Sequence, residues 1–171
     1  MASISNFISA LGNTLVGIVK IATMSRLSTT GKQPHVHGGS LLILGNGPSL
    51  NETITNDLDI LQTHPCMAVN FAANSDEYLR IKPRYYILAD PHFFTSGDGD
   101  TNVRHLFERI AQLTDWEMTL FIPSEHMKKF DLPSANDKVA VCAYNCVGVE
   151  GFAAFENYVY AHGLAMPRPR N

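Results

Sequence analysis

From residue 40 onward, short apolar runs alternate with amphipathic stretches. Leu41 to Leu44 is an unbroken aliphatic run, and similar runs follow at 66–71, 84–90 ("RYYILAD"), 118–124 ("MTLFIPS") and 138–145 ("KVAVCAYN"). Each is too short for an ordinary helix and ends beside small polar residues, so the five runs read as strands. Between them the apolar positions recur at helical spacing. A short helix is predicted within 50–62, helices over 74–81 and 102–114, a short one over 125–130, and a closing one over 149–162. In 102–114, Val103, Leu106, Phe107 and Ile110 share one face. Strands alternating with helices predict an α/β fold, a Rossmann-like, doubly wound and mainly parallel sheet of about five strands.

Residues 1–27 have a different pattern. Ile4, Phe7, Ile8, Leu11, Leu15, Ile18, Val19 and Ala22 fall along one side of a helix, with Ser5, Asn13, Thr14, Gly17 and Lys20 largely opposite. No basic start and no A-x-A cleavage pattern mark a secretory signal. The polar interruptions leave too short an apolar run for a spanning helix. Two readings stay open: a helix packed on its own domain or a partner, and a helix lying in a membrane interface. The scarcity of basic residues on the polar side favours the packed helix. Residues 28–39 then read as a linker from their Gly, Pro, Ser and Thr content. The predicted organisation is therefore a helix over 1–27, that linker, and one domain over 40–171.

Composition narrows the classes. The 171 residues are 45% hydrophobic and 17% charged, which suits a chain with a real core. Net charge is −3 and no Lys/Arg block occurs, so a nucleic-acid surface has no electrostatic support. Cys66, Cys142 and Cys146 form no CxxC pair, which reads as reduced thiols and a cytoplasmic location. His35 and His37 lie in the linker, two ligands where a metal site needs three or four, and no metal is assigned to them. His64, His105, His126 and His162 read as surface or packing residues.

In an open parallel sheet, ligands bind beyond the carboxyl ends of the strands. There the sequence delivers Asn46 and Ser49, then Asn70, then Asp90 and His92, then Ser124, and finally Asn145. Such residues also cap helices and make turns, so each taken singly is unremarkable. "GNGPSLNE" is the strongest element. Gly45 and Gly47 permit positive φ and close approach of a ligand, and Pro48 fixes the turn. Ser49 with Glu52 has the spacing of a capping box, which predicts a helix start here. Free N–H groups at such a start favour an anion. The pattern is neither the G-x-G-x-x-G fingerprint nor a Walker loop, and a tight turn without a ligand fits the spacing equally well. Asp90, Asp98 and Asp100 carry oxygen ligands suited to magnesium, although residues 96–100 also have the composition of a solvated loop.

"LLILGNGPSLNE" resembles the opening strand and nucleotide loop of bacterial CMP-sialic-acid-dependent sialyltransferases that build surface oligosaccharides. "AVNFAAN" matches the family's second strand end at Asn70, and "LADPHFF" is similar to its third, with Asp90 in place of asparagine. The same loop resembles Rossmann-like proteins grouped with 6-hydroxymethylpterin diphosphokinase, and "MPRPRN" is similar to bacterial members of that wider group associated with polysaccharide loci. The resemblance covers the first half of such enzymes. It implies that Gly45, Asn46, Gly47, Pro48 and Ser49 form the loop at the nucleotide phosphate and ribose, with Asn70 and Asp90 nearby. The family's catalytic histidine and its Ser-Gly donor motif lie beyond the match, and His162 does not stand in that context. No catalytic base is identified, His92 being the best local candidate.

The expectation is thus a nucleotide-sugar-binding, sialyltransferase-type glycosyltransferase that takes a CMP-sugar, in the bacterial cytoplasm or peripheral at the inner membrane. It would act in lipopolysaccharide or other surface polysaccharide synthesis. The proline-broken "AMPRPRN" ending suggests a domain incomplete at its C-terminus. The alternatives are a pterin-type diphosphokinase using ATP and magnesium, and a non-catalytic module that binds a nucleotide or a partner.

Overall fold

A computed structural model describes residues 2–25, 39–45, 47–96 and 99–168. The fold is α/β and Rossmann-like, with a five-stranded parallel sheet and an N-terminal helix. The strands are β1 (Leu42–Leu44), β2 (Cys66–Val69), β3 (Tyr85–Ile87), β4 (Met118–Pro123) and β5 (Val139–Tyr144), and they lie in the sheet in sequence order. The chain separates into two compact units. The larger comprises Thr30–Ile122 and His126–Ala143; the smaller comprises Met1–Thr29, Pro123–Glu125 and Tyr144–Asn171.

In the larger unit, register aligns Leu44, Ala68, Tyr86 and Leu120 on one face of the sheet. The helices α2 (Pro48–Asn56), α3 (Leu58–Thr63), α4 (Glu77–Ile81) and α6 (Thr101–Leu113) pack against that face, with α5 (His92–Thr95) between the last two in sequence. Ile54, Leu61 and Ile81 close over Leu44 and Cys66. Tyr78, Val103, Leu106 and Ile110 close over Ala68, Tyr86, Leu88, Leu120 and Ile122. Such one-sided packing follows from the strand order, because right-handed crossovers that always step the same way put their helices on the same side. The opposite face carries Ile43, Met67, Tyr85 and Phe121, and Ile43 on the edge strand is 67% exposed.

Several elements differ locally from expectation. Where one short helix was expected within 50–62 there are two, because Asp57 leaves helical backbone (φ −132°) and serves as the end of α2 and the start of α3. The start of α2 is also earlier. Gly47 is its N-cap and Pro48 occupies the first turn, so Ser49 stands inside the helix rather than at the cap its spacing from Glu52 predicted. Residues 125–130 make turns rather than a helix, with the amides of Lys129 and Phe130 both donating to the His126 carbonyl. The second strand ends at Val69, where Asn70 enters left-handed backbone (φ 51°) and opens a 3₁₀ turn over Asn70–Asn74.

That turn is held from beneath by Tyr86, which is fully buried. The Tyr86 hydroxyl donates to the Asn70 carbonyl and accepts from the Ala73 amide at 2.9 Å. Burial pushes the phenol well above its ordinary pKa, which keeps the donor protonated. Arg109 on α6 grips the same turn, donating to the Ala73 carbonyl and, at 3.0 Å, to that of Ser75. Beside Tyr86, the ring of Tyr78 meets it edge to face, and the Tyr78 hydroxyl lies 2.6 Å from that of Thr114.

The smaller unit is built from α1 (Ala2–Met24), β6 (Gly148–Val149), α7 (Ala153–Ala161) and β7 (Met166–Pro167). Val149, expected in the closing helix, is in β6, and "AMPRPRN" is not simply a loop, since Met166–Pro167 pairs parallel with β6. The proline is tolerated because the ladder bonds come from the neighbouring amides: Met166 donates to Val147 and Arg168 to Val149. A core of Val147, Val149, Val159 and Ala165 receives Ile21 and Phe155.

The helix α1 docks on this unit with its polar side, the reverse of what its apolar stripe suggests. Thr14 accepts a hydrogen bond from the Phe152 amide at 3.0 Å, and the Asn13 amide group donates to Glu150 at 3.1 Å. Glycines make the approach possible. A Cβ at Gly151 would stand 2.3 Å from the Thr14 hydroxyl, and one at Gly17 would stand 3.0 Å from the Phe155 ring. The stripe of Ile4, Ile8, Leu11, Leu15 and Ile18 is left exposed.

Replacing Tyr86 with Phe preserves shape but strands the Asn70 carbonyl and the Ala73 amide. The expected cost is about 1–3 kcal/mol of unfolding free energy, measured by urea denaturation. A change below the error of that measurement contradicts the role given to the hydroxyl.

Candidate functional site

Within the larger unit a cleft of about 430 Å³ opens where β1 passes into α2 and β2 into the 3₁₀ turn. One wall is Leu44, Gly47, Leu50, Asn51 and Ile54; the other includes Ala68, Phe71, Ala72, Ser75, Glu77 and Tyr78. It lies at the carboxyl ends of the first two strands, the end of an α/β sheet where small ligands gather. Most of the lining is apolar. Asn51, Ser75 and Glu77 are the side chains with polar groups on its inner walls, apart from the buried Tyr78 hydroxyl. Phe71 is 36% exposed, and its ring is backed edge-on by Phe93 at 4.9 Å between centroids.

The turn that forms one rim is more self-satisfied than its glycines suggested. The Gly47 amide donates to the Gly45 carbonyl at 2.9 Å, and the Leu50 amide donates to the Gly47 carbonyl at 3.0 Å. Pro48 has no amide hydrogen. Of the N–H groups expected to face an anion freely, those of Gly47 and Leu50 are therefore engaged inside the turn. Neither Gly45 nor Gly47 uses positive φ; Gly47 is extended at −99°, and among the described glycines only Gly163 is left-handed. Gly45 does border open space, since an added Cβ would meet nothing within 4 Å. Asn46 lies outside the described residues, as do the side chains of Pro48 and Ser49.

Gly47 lines the cleft, while Asn70 and Asp90 do not. Asn70 contributes through its backbone, and the neighbouring Phe71 and Ala72 supply the wall. The Asp90 carboxylate accepts the His92 amide at 2.8 Å and so starts α5. His92 in turn reaches Asp100 through Nε2 at 2.7 Å, and the other Asp100 oxygen caps α6 by accepting the amides of Asn102 and Val103. With its Nε2 committed there, His92 is poorly placed as a base. The His92 contact, with the helix amides behind it, holds the Asp100 carboxyl below its usual range.

Asp98, His35 and His37 lie outside the described residues. Among the described residues, no three of His, Cys, Asp or Glu converge on a metal-sized point. In the smaller unit the Ser124 hydroxyl donates to Asn145 at 3.3 Å, and Asn145 donates to the Gly163 carbonyl at 2.9 Å, so these two strand-end residues do meet. The cysteines are free, and burial raises all three thiol pKa values, which makes them poor nucleophiles. His64 and His162 bond main-chain carbonyls of their own helices, and His126 stacks on Phe94 at 4.4 Å.

Sequence reasoning missed the second wall of the cleft. Phe71 read as the tail of a strand, Ala72 as the connection after it and Ser75 as an ordinary helix start; an aromatic directly after Asn70 was the one available signal. No known protein family, curated protein or solved structure matches this chain.

The Asp100 pairing sets an acid limit. A carboxyl whose folded pKa is depressed stabilises the fold at pH values above its unfolded pKa, and that contribution disappears as pH falls through the folded pKa. Asp100→Asn keeps an acceptor for the α6 amides but cannot titrate, so its melting temperature should fall less steeply with acidification than the wild type's. Asp100→Ala should be less stable already at neutral pH. Parallel acid slopes for wild type and Asp100→Asn contradict the assignment.

Proposed function

We propose that the larger unit binds a nucleotide-activated sugar, a CMP-sugar, as part of a sialyltransferase-type glycosyltransferase acting in bacterial surface polysaccharide synthesis on the cytoplasmic side. The observation that carries this reading is the cleft at the carboxyl ends of β1 and β2, bounded by Gly47 and the start of α2. Its apolar depth and the braced ring of Phe71 suit a pyrimidine base. Glu77 suits ribose hydroxyls, because a carboxylate accepts two hydrogen bonds at once. The start of α2 suits the phosphate. With the Gly47 and Leu50 amides engaged, the grip there rests on the helix dipole and the remaining first-turn amides.

A single phosphate is better matched to so modest a grip than the di- or triphosphate of ATP. Transfer would break the bond between sugar carbon and phosphate oxygen, with CMP leaving and the acceptor hydroxyl oxygen forming the new bond as its proton passes to water. Stabilising the departing phosphate is the contribution these residues are placed to make.

A thermal-shift panel of CMP, CDP, UDP, GDP and ATP, each with and without a magnesium chelator, tests the reading. CMP should give the largest shift irrespective of chelator, about 2.7 kcal/mol at a hundredfold excess over Kd, with CDP next. Leu50→Trp, which fills the cleft, should abolish that shift while the unliganded protein stays folded by circular dichroism. An equal response to every nucleotide, no response to any, or a cytidine shift unaffected by Leu50→Trp overturns it.

A further inference from the structure

The expectation that the polar interruptions leave α1 too short an apolar run to span is overturned: averaged over its length the helix is long and apolar enough to cross a membrane by length and composition, yet only 6% of its apolar window is buried. A core helix of the same composition would be hidden. Ile4, Ile8, Leu11, Leu15, Ile18 and Val19 instead stand 42–68% exposed along one side. At about 1.5 Å per residue, the stripe runs for roughly 20 Å. The opposite side is fixed to the smaller unit along the length of the helix. Phe7 packs on Phe152, Asn13 and Thr14 bond Glu150 and the Phe152 amide, and Ser25, just past the end, bonds the Leu164 carbonyl.

We propose that α1 is a membrane seat: it lies flat in the interface of a lipid bilayer, stripe inward, with the smaller unit attached to its polar side. Three observations select a bilayer over a protein. Lys20 is the one ionisable residue of α1, and its Nζ reaches back to the Gly148 carbonyl at 3.5 Å, so the stripe presents no charge of either sign. The stripe is aliphatic and lacks the hydrogen-bonding groups and aromatic-arginine anchors that protein interfaces concentrate. The polar side that an interfacial helix ordinarily turns to water is here occupied by the unit itself, which removes the need for a basic face. A flat rather than a crossing orientation follows from the attachments, since crossing would break every bond from Asn13 to Ser25 and carry Lys20 into hydrocarbon.

Two measurements on the full chain test this. In co-sedimentation with phosphatidylcholine vesicles, the wild type should pellet equally well at low and high salt and without preference for added anionic lipid. The exposed double substitution Leu11→Glu/Leu15→Glu should reduce vesicle binding at least about tenfold, the order expected from burying two charges in place of two leucines. Separately, after subtraction of the signal of the native Trp116, Ile8→Trp and Ile18→Trp, both on the exposed stripe, should report the same depth when quenched by lipids brominated near the headgroup and by those brominated deeply, as a flat helix requires. Failure of the wild type to bind vesicles overturns the proposal. So does quenching at clearly different depths, which means a crossing helix. A wild-type dimer in detergent-free solution that Leu11→Glu/Leu15→Glu converts to monomer, with no vesicle binding, assigns the stripe to a second copy and also overturns it.

Discussion

The larger unit depends on how one buried phenol settles two main-chain groups. Where β2 ends, the chain must leave the sheet at once, and Asn70 does so through left-handed backbone that few residues other than glycine accept. The carbonyl and amide freed by that bend face the interior. Tyr86, arriving from the neighbouring strand, answers both with one oxygen. Arg109 completes the arrangement from α6. Because Phe71, Ala72 and Ser75 all belong to or adjoin this bend, the second wall of the cleft is a by-product of a core requirement.

A second constraint runs through the first helices. Pro48 at the start of α2 places the cap on Gly47 and engages two amides of the glycine turn. The same residues that make a ready helix start thereby reduce what the start can offer to an anion. The cleft is correspondingly more a pocket for flat apolar surface than a phosphate cradle.

What was legible in the sequence was what local pattern decides. The five strands followed from short aliphatic runs, and α6 followed from Val103, Leu106 and Ile110 at helical spacing. The break at Asp57 and the cap at Gly47 were local too, but the Ser49–Glu52 spacing competed with Pro48, and the proline's fixed φ won. The features that escaped depend on partners far along the chain. Nothing beside Asn70 announces the hydroxyl sixteen residues later. The polar side of α1 read as a solvent face because its partners, Glu150 and the Phe152 amide, follow more than a hundred residues on. The turn that holds Gly47 was readable locally, whereas the bonds by which Asn70 and Asp90 shape their turns were not.

The sequence separations inside the smaller unit carry a consequence for biosynthesis. Its bonds join Asn13 to Glu150 and Ser25 to Leu164, spans of 137 and 139 residues. On a ribosome the first helix therefore emerges long before anything exists to hold its polar side. The larger unit, almost contiguous between residues 30 and 143, can condense in the interval. Closing the smaller unit is then a late, long-loop event, and until it happens Thr14, Asn13 and Lys20 remain hydrated on a nascent segment whose greasy flank is available to chaperones.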